Sequence, residues 1–181
     1  IHFHSAPATG EESIENVKKI IDKLSEFQST KKLFLISFLD VQKEIMSKAP
    51  NKFWVILFRR AMIKASSIIA KGIGAKALIT GENVGQVASQ TLSNILAISD
   101  TCDIPILRPL IGYNKKDIIN LASDIETYEI STLPYDDCCG FFVPKHPETK
   151  ANINVIKECE KDININIDSL CKEALDQVKD I

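Results

Sequence analysis

Apolar runs of strand length alternate with segments of helical periodicity along most of this chain, and this alternation constrains the fold more than any other feature. Strands are predicted at 1–5, 33–39, 76–80 and 104–110, and helices at 10–29, 41–48, 53–71, 89–98 and 114–123. The first helix is predicted to start at a capping box, Thr9-Gly10-Glu11-Glu12. Strands that alternate with helices indicate an α/β fold with a doubly wound parallel sheet.

Size and charge exclude several classes of protein. A chain of 181 residues with 45% hydrophobic residues has the size and composition of one globular domain. The apolar run Phe53–Phe58 stops at Arg59, far short of the ~20 residues that span a bilayer, so no membrane segment is predicted. A net charge of −2, from 22 basic and 24 acidic side chains, argues against a domain that binds nucleic acid unaided.

The predicted helix at 53–71 carries two arginines of different character. Its solvent-facing stripe is expected to consist of Arg60, Lys64, Ser67 and Lys71. Arg59 lies off that stripe, so its guanidinium must either reach solvent along the helix surface or meet a charged group.

Residues that follow the predicted strands are the first candidates for a binding site, because ligands of open parallel sheets bind beyond the strands' carboxyl ends. After the strand at 76–80 come Gly81 and Gly85, which allow a ligand to approach the backbone, and Gln90 follows on the next helical turn. On pattern alone, a short βα loop that merely contains glycine is the favoured explanation.

A second candidate lies where Asn114 is predicted to cap a helix. Lys115 and Lys116 then occupy the first helical turn, where the helix dipole disfavours cations. A lysine beside free helix N–H groups suits a phosphate or a developing negative charge, and a solvated surface lysine is the alternative.

Five cysteines, two of them adjacent, predict a reducing, cytoplasmic compartment. Cys159 and Cys171 fall on apolar helix faces and are expected to be inert. Cys138 and Cys139 lie in a polar loop in which a thiol could be reactive. Zinc bound by this pair and His146 is an alternative, although adjacent cysteines suit one tetrahedral ion poorly, so no metal site is predicted.

Three stretches together closely resemble the tRNA 4-thiouridine synthetase (tRNA sulfurtransferase) family over essentially the whole chain. They are Leu78-Ile79-Thr80-Gly81-Glu82-Asn83-Val84-Gly85-Gln86-Val87-Ala88-Ser89-Gln90-Thr91-Leu92, Leu107-Arg108-Pro109-Leu110-Ile111 and Asp137-Cys138-Cys139-Gly140. The resemblance implies the family's PP-loop ATP-pyrophosphatase domain, which has a Rossmann-like sheet of the adenine nucleotide alpha-hydrolase-like type. It also implies that ATP, with Mg²⁺, adenylates uridine 8 of tRNA before persulfide sulfur replaces the 4-oxygen to give 4-thiouridine, and that the family supplies sulfur for the thiazole of thiamine.

The same resemblance assigns roles to individual residues. The positions at which the family holds ATP are matched by His2, Phe3, Arg59, Gly81 and Gln90. Lys115 matches a lysine required for turnover, and Cys139 matches the reactive cysteine, with Cys138 as the neighbouring possibility.

The resemblance also sets expectations for the rest of the protein. Residues 1–181 are expected to form a single PP-loop domain, truncated before its phosphate loop and tRNA-binding region, in which 131–181 form the cysteine-containing loop and a helical tail. The implied partners are tRNA, mainly through regions outside this sequence, a cysteine desulfurase, and a second copy in a possible homodimer. Another PP-loop ATP pyrophosphatase and a non-catalytic nucleotide-binding module are the alternatives.

Overall fold

A computed structural model describes residues 1–28, 32–134 and 144–180 of the chain. Its helices are α1 (Glu12–Leu24), α2 (Leu39–Lys48), α3 (Trp54–Gly72), α4 (Leu92–Ser99), α5 (Lys115–Asp124), α6 (Tyr128–Ser131), α7 (Ile153–Lys161) and α8 (Ile167–Asp176). Its strands are β1 (His2–His4), β2 (Lys32–Leu33), β3 (Leu35–Ser37), β4 (Leu78–Ile79), β5 (Ile106–Leu107) and β6 (Lys179–Asp180). Two 3-10 turns, Asn51–Phe53 and Ala88–Gln90, precede α3 and α4.

The strands pair two by two, which confirms an α/β fold with parallel pairing. β1 pairs with β3 and β4 pairs with β5, both in parallel, whereas β2 pairs with β6 antiparallel. The predicted strand at 33–39 is divided into β2, β3 and the start of α2. Its unbroken apolar character reflects burial rather than one continuous strand, because Leu33, Phe34, Ile36 and Phe38 are all buried.

Helix α3 is the centre of the core. Ile56, Leu57, Phe58 and Ile69 are almost completely buried, and α2, α4 and α8 pack around the helix. The extent predicted for this helix is confirmed, but the predicted solvent stripe is wrong at two positions, since Arg60 is only 3% exposed and Ser67 is also buried. The stripe assumes one buried face, whereas α3 is covered on several sides.

Arg60 is buried because it meets charges from two neighbouring helices. Its guanidinium donates to both carboxylate oxygens of Glu160 on α7, at 2.6 and 2.7 Å, and to the carbonyl of Ala97 on α4. Asp100 lies 3.6 Å from Arg60 Nη1. These contacts fasten α4 and α7 to α3.

We expect Arg60→Ala to lower the free energy of unfolding by about 2 kcal/mol, because it leaves the Ala97 carbonyl and the Glu160 carboxylate without their donor. The value is below that of a fully buried pair because the Glu160 side chain is 34% exposed. Urea denaturation of the complete protein measures this change. Lys64→Ala, at an exposed position on the same helix, is the control, and an equal loss from both variants would contradict the assignment.

Two helix starts differ from the prediction. The capping box before α1 is wrong: Glu11 is the N-cap residue and makes no side-chain cap bond, while the Thr9 hydroxyl is buried in the turn that follows Ser5. Helix α4 begins at Leu92 rather than at 89, because the Thr91 hydroxyl caps it.

The expected helical tail is part of the core. The Cys171 thiol on α8 donates to the Ala65 carbonyl of α3 at 3.4 Å, and Ala174 is buried beside it. Of the helices in the described part of the chain, none combines the length and the apolar character that a bilayer crossing requires.

Candidate nucleotide site at the strand ends

A groove of about 670 Å³ lies between β1 and β4, with α3 as its floor. Phe3 lines it from the β1 side and Thr80 from the β4 side, and Arg59 and Met62 line it from α3. The Phe3 ring also packs edge-on against Phe38, with the ring centroids 5.4 Å apart. The groove runs along the strands, from Ala75 and Ala77 before β4 to Thr80 and Glu82 after it. Ligands of α/β proteins typically bind at the latter, carboxyl end of parallel strands, in apolar clefts with a few polar groups.

The guanidinium of Arg59 is held at the polar end of this groove. Arg59 Nη2 donates to Glu82 Oε1 at 2.8 Å, and Nη1 donates to the Ser89 hydroxyl at 3.0 Å. Of the two possibilities that the sequence left for Arg59, the structure therefore shows the contact with a charged group, although the side chain stays 23% exposed.

Glu82 connects Arg59 to a second arginine. Its carboxylate is 3% exposed, and Oε2 accepts from Arg108 Nε at 2.6 Å and from the Thr80 hydroxyl at 3.1 Å. Arg108 also donates to the Ser99 hydroxyl at 2.7 Å. Two guanidinium groups thus share one buried carboxylate, and the cluster has an excess positive charge suited to an anionic ligand.

The loop after β4 is closed by its own backbone. Gly85 has a φ of +81°, which glycine adopts without strain, and its N–H donates to the Gln90 carbonyl at 3.0 Å. Gln90 lies in the 3-10 turn rather than in the predicted first turn of α4. Gly81 is exposed, and a side chain at this position would meet open space.

Asn83 fastens this loop to the segment before α5. Its buried side-chain amide donates to the Leu110 carbonyl at 2.7 Å and to the Tyr113 carbonyl. The predicted cap of α5 is confirmed, since Asn114 Oδ1 accepts from the Asp117 N–H at 2.9 Å. Lys115 is therefore the exposed first residue of a capped helix. It lies two residues after Tyr113, whose carbonyl accepts from Asn83 in the loop.

The predicted site residues are brought together only in part. Phe3 and Arg59 line one groove, whereas His2 points to the opposite face of β1 and is not part of the lining. Gly81 and Gln90 belong to the adjoining loop. Cys138 and Cys139 lie outside the described residues. The roles that the resemblance implies for Cys138 and Cys139 therefore stay predictions.

Sequence reasoning missed Glu82, Asn83 and Arg108 as parts of this site. A signal for Glu82 was present, since a single carboxylate directly follows a strand and a glycine. The chain has three arginines, and which of them reach Glu82 depends on how α3 and the segment after β5 pack against the loop after β4.

The described cysteines behave as the sequence predicts for buried thiols. Cys171 is 1% exposed, and burial raises its pKa to about 11. Burial also raises the pKa of the half-buried Cys159 thiol. Among the described residues, no three histidine, cysteine or carboxylate side chains are placed to hold a metal ion.

Comparison with known proteins gives a consistent result. Residues 1–165 match the family model of the thiamine biosynthesis protein ThiI. A probable tRNA sulfurtransferase of Agathobacter rectalis is 43% identical over 175 residues, which cover 97% of this chain and 44% of the relative. The corresponding protein of Clostridium botulinum is 39% identical over 181 residues, covering 100% of this chain and 46% of the relative.

A solved structure agrees with these relatives. The crystal structure of a 4-thiouridine synthetase–RNA complex with bound ATP has a TM-score of 0.88 and 38% identity to this chain. The match covers 98% of this chain and 46% of that one. The chain thus spans about half the length of the relatives that it matches.

Proposed function

Because this chain belongs to the ThiI family, we propose that it is the nucleotide-binding, PP-loop ATP-pyrophosphatase part of a tRNA sulfurtransferase. The proposed reaction uses ATP to adenylate the 4-oxygen of uridine 8 in tRNA, with release of pyrophosphate. The terminal sulfur of a cysteine persulfide then attacks C4 and the 4-oxygen leaves as part of AMP. A second thiol attacks the resulting disulfide to free 4-thiouridine, and the protein disulfide left behind is reduced by an external thiol. Supply of sulfur for the thiazole of thiamine is a second proposed role. The observation that carries the proposal is the Arg59–Glu82–Arg108 cluster at the end of the groove.

The groove supports a purine nucleotide as the ligand. Phe3 and Met62 offer an apolar wall for a base, and the arginine cluster at the groove's polar end suits a phosphate. Gly81 and Gln90, on the loop that begins at the same end, are the proposed backbone and side-chain contacts, and Phe3 is the proposed contact from β1. The contact that the family resemblance implies for His2 stays a prediction, because His2 faces the other side of the strand. In a Rossmann-like sheet, which is the arrangement proposed for this chain, nucleotides bind beyond the carboxyl ends of the strands.

Magnesium would be held mainly by the nucleotide in this proposal. Glu82 is the carboxylate that lines the groove, and both of its oxygens already accept from arginines. Mg²⁺ is commonly bound through substrate phosphates and only one or two carboxylates. Phosphate oxygens are therefore its proposed ligands.

Sulfur transfer is proposed to depend on Cys139, or on Cys138, loaded as a persulfide by a cysteine desulfurase. Transfer RNA, the desulfurase and a second copy of the chain are the proposed partners, in the cytoplasm. The test is mass spectrometry of tRNA from cells that lack the complete gene. Loss of 4-thiouridine, restored by the wild-type gene, is expected, and an unchanged 4-thiouridine content would refute the proposal.

Arg59→Ala is expected to weaken ATP binding by the complete protein roughly 10- to 100-fold, since a charged hydrogen-bond donor contributes ~1.5 to 3 kcal/mol. Isothermal titration calorimetry measures this change. Lys64→Ala, one turn further along α3 and exposed, is the matched control. Unchanged affinity of the Arg59 variant would place this arginine outside the nucleotide site.

A further inference from the structure

We propose that Glu82 is a positioning residue that orients the Arg59 guanidinium toward the groove. Arg108 holds the Glu82 carboxylate in place. This inference rests on the proposed nucleotide site and names a residue that acts through Arg59. It follows from the hydrogen bonds that the two oxygens of Glu82 accept.

Glu82 has one oxygen for each arginine. Oε2 is fixed by Arg108 Nε at 2.6 Å and by the Thr80 hydroxyl at 3.1 Å, and Oε1 accepts from Arg59 Nη2 at 2.8 Å. Arg108 is itself tied to Ser99 and does not line the groove. The carboxylate therefore keeps its place through contacts that do not involve Arg59.

Arg59 depends on this carboxylate for its orientation. The side chain extends from α3 at the edge of the groove, and its terminal nitrogens are held by Glu82 and Ser89. A guanidinium fixed from two sides loses little conformational freedom when a ligand binds, whereas a free arginine side chain must be ordered at that moment. Within the described part of the chain, Arg59 Nε makes no hydrogen bond, so a donor remains for a ligand.

The alternative is that this cluster only stabilises the fold. A buried carboxylate needs paired cations wherever it lies, so the contacts alone do not separate the two roles. The roles differ in one measurable respect. A positioning residue affects ATP binding only while Arg59 is present, whereas a purely structural residue lowers stability and leaves the affinity of the folded protein unchanged, or lowers it by the same factor with and without Arg59.

The experiment is a double-mutant cycle on ATP affinity in the complete protein, with Glu82→Gln, Arg59→Ala and the double variant. Glu82→Gln keeps the shape of the side chain and removes its charge. We expect it to weaken ATP binding roughly 10-fold in the wild-type background and less than about 2-fold in the Arg59→Ala background. The same factor in both backgrounds, or no weakening in either, would overturn the inference.

Two further variants complete the test. Arg108→Lys retains the charge but cannot hold both Glu82 and Ser99, so it should weaken ATP binding in the same Arg59-dependent way even if Glu82→Gln fails to fold. Asp103→Asn removes the charge that pairs with Lys71, away from the groove, and should leave ATP affinity unchanged. A wild-type protein that does not bind ATP would refute the proposed function itself, whereas wild-type affinity in Glu82→Gln and Arg108→Lys would refute only this inference.

Discussion

Replacing Cys139 by serine in the complete protein is expected to abolish 4-thiouridine formation while AMP-activated tRNA still forms. Sulfur transfer requires a thiolate that attacks a sulfur donor and then presents the terminal sulfur to an activated carbon. A serine hydroxyl cannot carry a persulfide. Adenylation does not require the thiol, so the two half-reactions should separate.

The described cysteines are poor candidates for this role. Cys171 is buried against the Ala65 carbonyl with a pKa of about 11, which leaves almost no thiolate near neutral pH. The pKa of the Cys159 thiol is raised mainly by burial and further by the nearby Asp162 carboxylate. Cys102 donates to the Ile104 carbonyl at 3.3 Å and is half-buried. These environments leave Cys138 and Cys139 as the proposed reactive pair.

The measurement uses a cysteine desulfurase with cysteine as the sulfur source, and follows 4-thiouridine and AMP-activated tRNA separately. Cys138→Ser should have a milder effect, and Cys159→Ser should be neutral. A wild-type 4-thiouridine yield from Cys139→Ser would reject the assignment. Loss confined to Cys138→Ser would assign the role to its neighbour.

Most elements set by local chemistry were predictable from the sequence, although the capping box before α1 was not. The cap of α5 at Asn114 depends on one side chain and a nearby N–H, and the structure shows it where the sequence predicts it. The extent of α3 follows from its periodicity, and Cys171 is buried as its helix face indicates. Such features need no information about distant parts of the chain.

Features that depend on distant partners were not predictable. Arg60 was assigned to solvent because its partner Glu160 is 100 positions away in the sequence. Glu82 was missed because its two arginines lie 23 and 26 positions away in opposite directions. Both cases concern charged side chains that are buried only because another element supplies the opposite charge. The resemblance to a family singled out Arg59 as a nucleotide contact, which stays a prediction, but it could not reveal the carboxylate that holds Arg59.

Replacing Lys115 by alanine is expected to lower the rate of uridine adenylation by at least ~100-fold, the loss typical of one preorganised electrostatic donor. The lysine occupies the first residue of α5, where the helix dipole opposes a cation and stability alone would favour a carboxylate. Asn83 connects the segment before α5 to the loop after β4, so the backbone just before Lys115 is held in place. The rate is measured as AMP-activated tRNA formed by the complete protein at saturating ATP.

Lys116 is the matched control because it has the same charge and exposure and lies on the same helical turn. Consecutive helix residues project about 100° apart, so a group that must reach one atom of the substrate cannot be replaced by its neighbour. Lys116→Ala should therefore change the adenylation rate by less than about 2-fold, whereas a general electrostatic field would respond similarly to the loss of either charge. Comparable losses from the two variants would contradict a positioned role for Lys115. A rate that falls only for Lys115→Ala, with ATP affinity unchanged, would mean that this lysine acts on the transition state rather than on the bound nucleotide.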